Sequence, residues 1–166
     1  VLAADPVPLN FYKSKIRISP KDLFLWEPQE LCKQYDIPYH IVSHNSQETS
    51  MLVEEYNLDI GIILGARILK PIAFEKFKIG VINMHPGVLP QNRGLDNIKW
   101  AIMKKMPQGV TSHLIDSKID RGKMIVQENI KVYDDDSLVD VHIRVQNLEQ
   151  KLMLESIKIK TLNFYR

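Results

Sequence analysis

The stretch Leu58-Asp59-Ile60-Gly61-Ile62-Ile63-Leu64, closed by Gly65, constrains this chain more than any other. It is apolar at almost consecutive positions and lacks the alternation of a half-exposed strand. It therefore predicts a parallel strand covered on both faces, which requires helices above and below it. The flanking sequence supplies them. Pro28 in a first helical turn predicts a short helix over Gln29–Tyr35, and Pro38 opens a strand over Tyr39–Ser43. Asn45, with Glu48 three positions on, reads as a capping box for a helix through Tyr56. Pro71 opens a helix to Phe77, and Gly80–His85 is a strand stopped by Pro86. A helix over Asp96–Met106 and strands over Gly109–Ile115 and Met124–Val132 follow. Asp136 or Ser137 caps a closing helix toward Lys160, with Leu138, His142, Val145, Leu148 and Leu152 near one face. Strands alternating with helices predict a three-layer α/β fold, a mainly parallel twisted sheet with helices on both faces. At 166 residues the expectation is one domain spanning 1–166.

Composition removes several function classes. Lys and Arg total 22 against 20 Asp and Glu, and the resulting +2 is no nucleic-acid or membrane footprint. Cys32 is the single cysteine, which excludes an intramolecular disulfide and any multi-cysteine metal site, and fits a cytoplasmic, reducing location. The apolar runs fall far short of the ~20 residues that span a bilayer. Val1–Ala4 is too short and uncharged for a signal peptide, so a clipped or incomplete N-terminus is expected. All seven glycines lie between Gly61 and Gly122, which points to the middle third for the site-forming loops.

Asn83 and His85 lie two residues apart on a strand, so their side chains share a face at its C-terminal end, where open parallel sheets put their ligands. Such a pair alone more often satisfies loop backbone. Asp120 follows the strand Gly109–Ile115 in an Asp-x-Gly turn; were that strand beside the first, its carboxylate could orient the imidazole and favour its charged form.

Asn83-Met84-His85-Pro86-Gly87-Val88-Leu89-Pro90, then Arg93-Gly94, then Gly109-Val110-Thr111-Ser112-His113, then Ile119-Asp120-Arg121-Gly122, together resemble the formyltransferase family. That family includes glycinamide ribonucleotide transformylase, the catalytic domain of methionyl-tRNA formyltransferase and sugar-nucleotide N-formyltransferases. The resemblance runs from about Leu58 to Val132, and more weakly into the closing helix. It implies catalytic roles for Asn83, His85 and Asp120, with 10-formyltetrahydrofolate as cofactor and no metal. It further implies a pterin pocket walled by Ala66, Arg67, Ile68 and Leu69 on one side and by Ile115, Asp116, Ser117, Lys118 and Ile119 on the other. Pro86, Gly87 and Arg93 would face the acceptor, Arg93 steering an anionic one, and His113 would support the loop. In such a site a preorganised Asn83 donor to a developing oxyanion can contribute ~3–4 kcal/mol. Asp120 could accept the amine proton directly or through water.

Two departures stand out. Gly87 and Val88 replace the family's usual Ser and Leu, which should loosen that loop. The family's opening strand, glycine-bearing loop and helix have no counterpart before Gly61, so the N-terminal strand and loop are expected to be missing. Other signals carry less. His40 and His44 lie on a strand, ~13 Å apart at ~3.3 Å per residue, too far to share an ion. Asp134-Asp135-Asp136 reads as a solvated helix start, and Lys13–Arg17 ahead of Ser19-Pro20-Lys21 as a solvated loop.

The resulting expectation is formyl transfer from 10-formyltetrahydrofolate to a primary amine of a small phosphorylated or nucleotide-linked acceptor. An amino sugar nucleotide is preferred over glycinamide ribonucleotide. The alternatives are a formyltetrahydrofolate hydrolase, a methionyl-tRNA formyltransferase-like domain and a non-catalytic folate- or nucleotide-binding remnant. Partners would be folate and a small-molecule amine, with no membrane, nucleic acid disfavoured for want of an RNA-binding domain after Arg166, and a homodimer left open.

Overall fold

A computed structural model describes residues 1–4, 27–63 and 68–164. In chain order the elements are β1 (Leu2–Ala3), α1 (Pro28–Gln34), β2 (His40–Ile41), α2 (Gln47–Glu55), β3 (Ile60–Ile63), α3 (Pro71–Phe74), β4 (Gly80–His85), α4 (Asn97–Met103), β5 (Gly109–Leu114), β6 (Met124–Asn129) and α5 (Leu138–Phe164). The α/β architecture follows the expectation, but the described strands form two sheets, β1-β2 and β3-β4-β5-β6, and the larger is mixed rather than mainly parallel. β1 pairs with β2 and β3 with β4 in parallel, but β4–β5 and β5–β6 are antiparallel. The chain leaving His85 returns beside the same strand end, setting Thr111 opposite His85. β5 and β6 then form a hairpin around the segment 115–123, for which an antiparallel pair is the natural geometry.

β4 divides the molecule. Ile82 and Met84 point to one face and join Ile98 of α4, Val110 of β5 and Val141, Val145, Leu148 and Leu152 of α5 in the principal core. The buried stripe of α5 is thus Val141, Val145, Leu148, Leu152 and Ser156, whereas Leu138 and His142 are exposed; the face begins one turn later than expected. Ser137 caps α5 through a reciprocal pair, Asp140 N donating to Ser137 Oγ and Ser137 N to the Asp140 carboxylate. On the opposite face, Val81 packs with Phe77 over Gly61, leaving the C-terminal end of β4 open for polar groups.

One cap differs from expectation, and one helix starts a residue later than expected. Ser46, not Asn45, caps α2 by accepting from Thr49 N at 3.2 Å. Asp96 precedes α4 in a left-handed conformation and makes no side-chain cap. His40 Nε2 lies 3.0 Å from the Tyr56 hydroxyl and His44 Nε2 3.3 Å from the Leu2 carbonyl, so each has its own partner. Asp136 binds Arg144 and accepts from Tyr133 N at 2.7 Å. No helix among the described residues is long and apolar enough to cross a membrane.

Candidate active site

Asn83 and His85 project from the same face of β4, and His113 joins them because β5 sets it opposite Asn83. Asp120 arrives by a sharper route. Ile115 N donates to Val81 O at 2.9 Å, and the loop then turns back so that Gly122 lies against the Leu114 carbonyl. A Cβ at residue 122 would sit 1.7 Å from that oxygen, so only glycine permits the return. Asp120 itself is left-handed at φ 50°, which aspartate tolerates better than most residues.

Hydrogen bonds to backbone carbonyls settle the protons. His85 Nε2 lies 2.6 Å from the Asn92 carbonyl, which can only accept, so Nε2 carries hydrogen. The other nitrogen, Nδ1, faces Asp120 Oδ1 at 3.6 Å, and Asp120 Oδ2 accepts from Gly94 N at 2.9 Å. A proton on Nδ1 therefore makes a buried imidazolium beside a carboxylate, with His85 3% exposed. His113 is arranged the other way. Its Nδ1 donates to Leu114 O at 2.9 Å, leaving Nε2 to accept from Asn83 Nδ2 at 3.2 Å. Burial disfavours the charged His113 ring and holds its pKa below the ordinary value, although the Leu114 carbonyl and Asp120 pull upward. A neutral His113 fixes the Asn83 amide with one N–H committed and the second available.

The loop after β4 is braced. Thr111 Oγ1 donates to Gly87 O at 2.7 Å and accepts from Leu89 N and from Gln127 Nε2, while Gln127 also reaches Leu89 O. Contrary to the expected loosening, Gly87 and Val88 are buried. A side chain at 87 would come within 2.7 Å of the Asn92 carbonyl and 2.9 Å of His85 Nε2, so glycine lets that carbonyl seat on the histidine. Pro86 is half-buried at the start of this loop. Arg93 is exposed at the rim, its Nε donating to Asp120 O at 3.0 Å.

Among the anticipated cofactor residues, Ala66 and Arg67 lie outside the described residues, as do Lys13–Arg17 and Ser19-Pro20-Lys21. Ile68, exposed, and Leu69, half-buried, come after β3, whose last residue Ile63 pairs with Asn83. Ile115 is half-buried, and Asp116, Ser117, Lys118 and Ile119 form an exposed turn in which Lys118 N donates to Asp116 Oδ1. Beyond Arg93 lies a groove of about 440 Å³ lined by Gln91, Arg93, Trp100, Lys104 and Met106 among others. Asn92, Thr111 and Gln127 were not singled out by sequence, because a main-chain acceptor and a bracing hydroxyl have no residue signature before the chain is folded.

The model of a family described as formyl transferase matches residues 19–157. Methionyl-tRNA formyltransferase of Flavobacterium johnsoniae is 31% identical over 118 residues, covering 69% of this chain and 38% of its own length. The corresponding protein of Chlorobium chlorochromatii is 26% identical over 125 residues, and this chain spans 40% of its length. Phosphoribosylglycinamide formyltransferase from Bacillus halodurans superposes with a TM-score of 0.68 at 26% identity, covering 80% of this chain and 73% of that one. A formyltransferase from Anoxybacillus kamchatkensis, solved with UDP-4,6-dideoxy-4-formamido-L-AltNAc and tetrahydrofolate, gives 0.64 at 28% identity, covering 82% and 73%.

Proposed function

The chain belongs to the formyl transferase family, and on that premise we propose that it moves a formyl group from 10-formyltetrahydrofolate to a primary amine on a nucleotide-linked acceptor. The observation that carries the reading is the convergence of Asn83, His85 and Asp120 from two strand ends, with His85 Nδ1 and Asp120 3.6 Å apart. The donor set suits a formyl group, since the second Asn83 N–H can donate to a carbonyl oxygen. The cofactor, when bound, supplies an electrophilic formyl carbon on nitrogen. Asn83 would donate to the formyl oxygen as negative charge grows there. His85 turns Nδ1 toward Asp120, its far nitrogen held by the Asn92 carbonyl. Asp120 would accept the amine proton directly or through water, and the folate nitrogen would take up a proton as its bond to the formyl carbon breaks. Ala66–Leu69 and Ile115–Ile119 would wall the pterin, and His113 keeps the Asn83 amide in one orientation.

The groove beyond Arg93 supports the acceptor class. Trp100 is 46% exposed there, the Lys104 ammonium lies 5.0 Å from its ring centre, and Arg93 is tied to Asp120. Lys104 covers one face of the indole, and the remaining aromatic surface, in a groove lined by two cations, suits a base and its phosphates. A second reading, a methionyl-tRNA acceptor, is favoured by the names of the sequence relatives. One assay separates them: protein, 10-formyltetrahydrofolate and a panel of amino sugar nucleotides, glycinamide ribonucleotide and methionyl initiator tRNA, read by tetrahydrofolate release. Release with an amino sugar nucleotide is the expected result. Release with the tRNA alone selects the second reading, formate without acceptor a hydrolase, and no turnover overturns formyl transfer.

A further inference from the structure

The fold takes from Asn45 the capping role its sequence position suggested. Ser46 caps α2 in its stead, and the turn that carries both is tied down by Ser46 N and Thr49 Oγ1, each donating to Ser43 O, at 3.0 and 2.8 Å. The Asn45 amide instead reaches across to the segment after β3. Its Nδ2 donates to Ile68 O at 3.0 Å and its Oδ1 accepts from Lys70 N at 2.6 Å. A carboxamide offers a donor and an acceptor side by side, matching a backbone carbonyl and an amide two residues apart, as a neighbouring strand would. Ile68 is 68% exposed, so its own side chain adds little packing to this segment.

We propose that Asn45 is a positioning residue that preorganises the Ile68–Lys70 backbone for folate. This rests on the formyl-transfer reading, in which that segment walls the pterin. A loop held in its bound shape loses less conformational freedom when ligand arrives, so the clamp acts on cofactor affinity rather than on the chemical step.

The test compares the wild-type protein with Asn45→Ala and Asn45→Asp, the latter keeping the acceptor for Lys70 N while removing the donor to Ile68 O. Asn45→Ala should raise the Kd for tetrahydrofolate and the KM for 10-formyltetrahydrofolate about tenfold, with kcat within about twofold, the pattern of lost ground-state binding. Asn45→Asp should fall between it and wild type. Amide hydrogen exchange at Lys70, measured without ligand, should accelerate in Asn45→Ala. A wild-type Kd in Asn45→Ala overturns the proposal, as does a fall in kcat with KM unchanged. If wild-type protein binds no tetrahydrofolate, formyl transfer fails; accelerated Lys70 exchange in that case shows a clamp whose task is not folate binding.

Discussion

The two faces of β4 solve opposite problems with alternate residues of one strand. Ile82 and Met84 are buried in a layer of aliphatic groups, where volume and shape decide the outcome and no single partner is indispensable. Asn83 and His85 are held on the other face by individual hydrogen bonds to His113 and to the Asn92 carbonyl. The apolar face supplies stability and little chemistry; the polar face spends stability on buried donors and acceptors that must all be matched. The lesson is that damage to one face should leave the property of the other largely intact.

The largest expected effect lies on the polar face. Asn83→Ala should lower kcat by about 10²–10³, ~3–4 kcal/mol of transition-state stabilisation, with a melting temperature near wild type. Steady-state kinetics beside calorimetry would break the comparison if stability fell as steeply as rate. Leu152→Ala, at a fully buried position of α5, should do the reverse. It should cost about 3 kcal/mol in denaturant unfolding while kcat below the transition stays unchanged.

A smaller effect is expected at Glu149, half-buried on α5, where burial pushes the carboxyl up to about 6 from 4.5. The raised value means the unfolded chain gives up its proton first, so stability declines as pH rises through that interval. Glu149→Gln should therefore gain about 1 kcal/mol at neutral pH and nothing in acid, read from urea midpoints at both.

The smallest effect concerns His113. Its folded pKa is lowered by burial, so the unfolded chain binds the proton first and stability falls as pH drops below about 6.5. His113→Gln, which keeps an acceptor for Asn83, should flatten that acid slope while retaining most of kcat. An unchanged slope would show that another group titrates there.

Much of the site was legible in advance because its parts are local. The two-residue spacing of Asn83 and His85 dictates a shared face on any strand, and the prolines at 86 and 90 bound the loop that follows. Asp120 was legible only as a conditional, since its use depends on β5 lying beside β4. The direction of that pairing, the early start of the α5 stripe and the true cap of α2 were misread, because each is settled by what packs against the element. Gly87 was misjudged for the same reason: a missing side chain reads as looseness until a carbonyl is found filling the space.

Sequence by itself determined that the chain builds α/β layers and that a carboxamide and an imidazole share one strand end, because side-chain period and apolar run length are properties of the covalent chain. Tertiary structure alone decided the protons and the clamps: which nitrogen of His85 is free, which way the Asn83 amide points, and that Asn45 holds a segment more than twenty residues ahead. Those choices depend on backbone carbonyls and amides, which every residue carries alike and only the fold can aim.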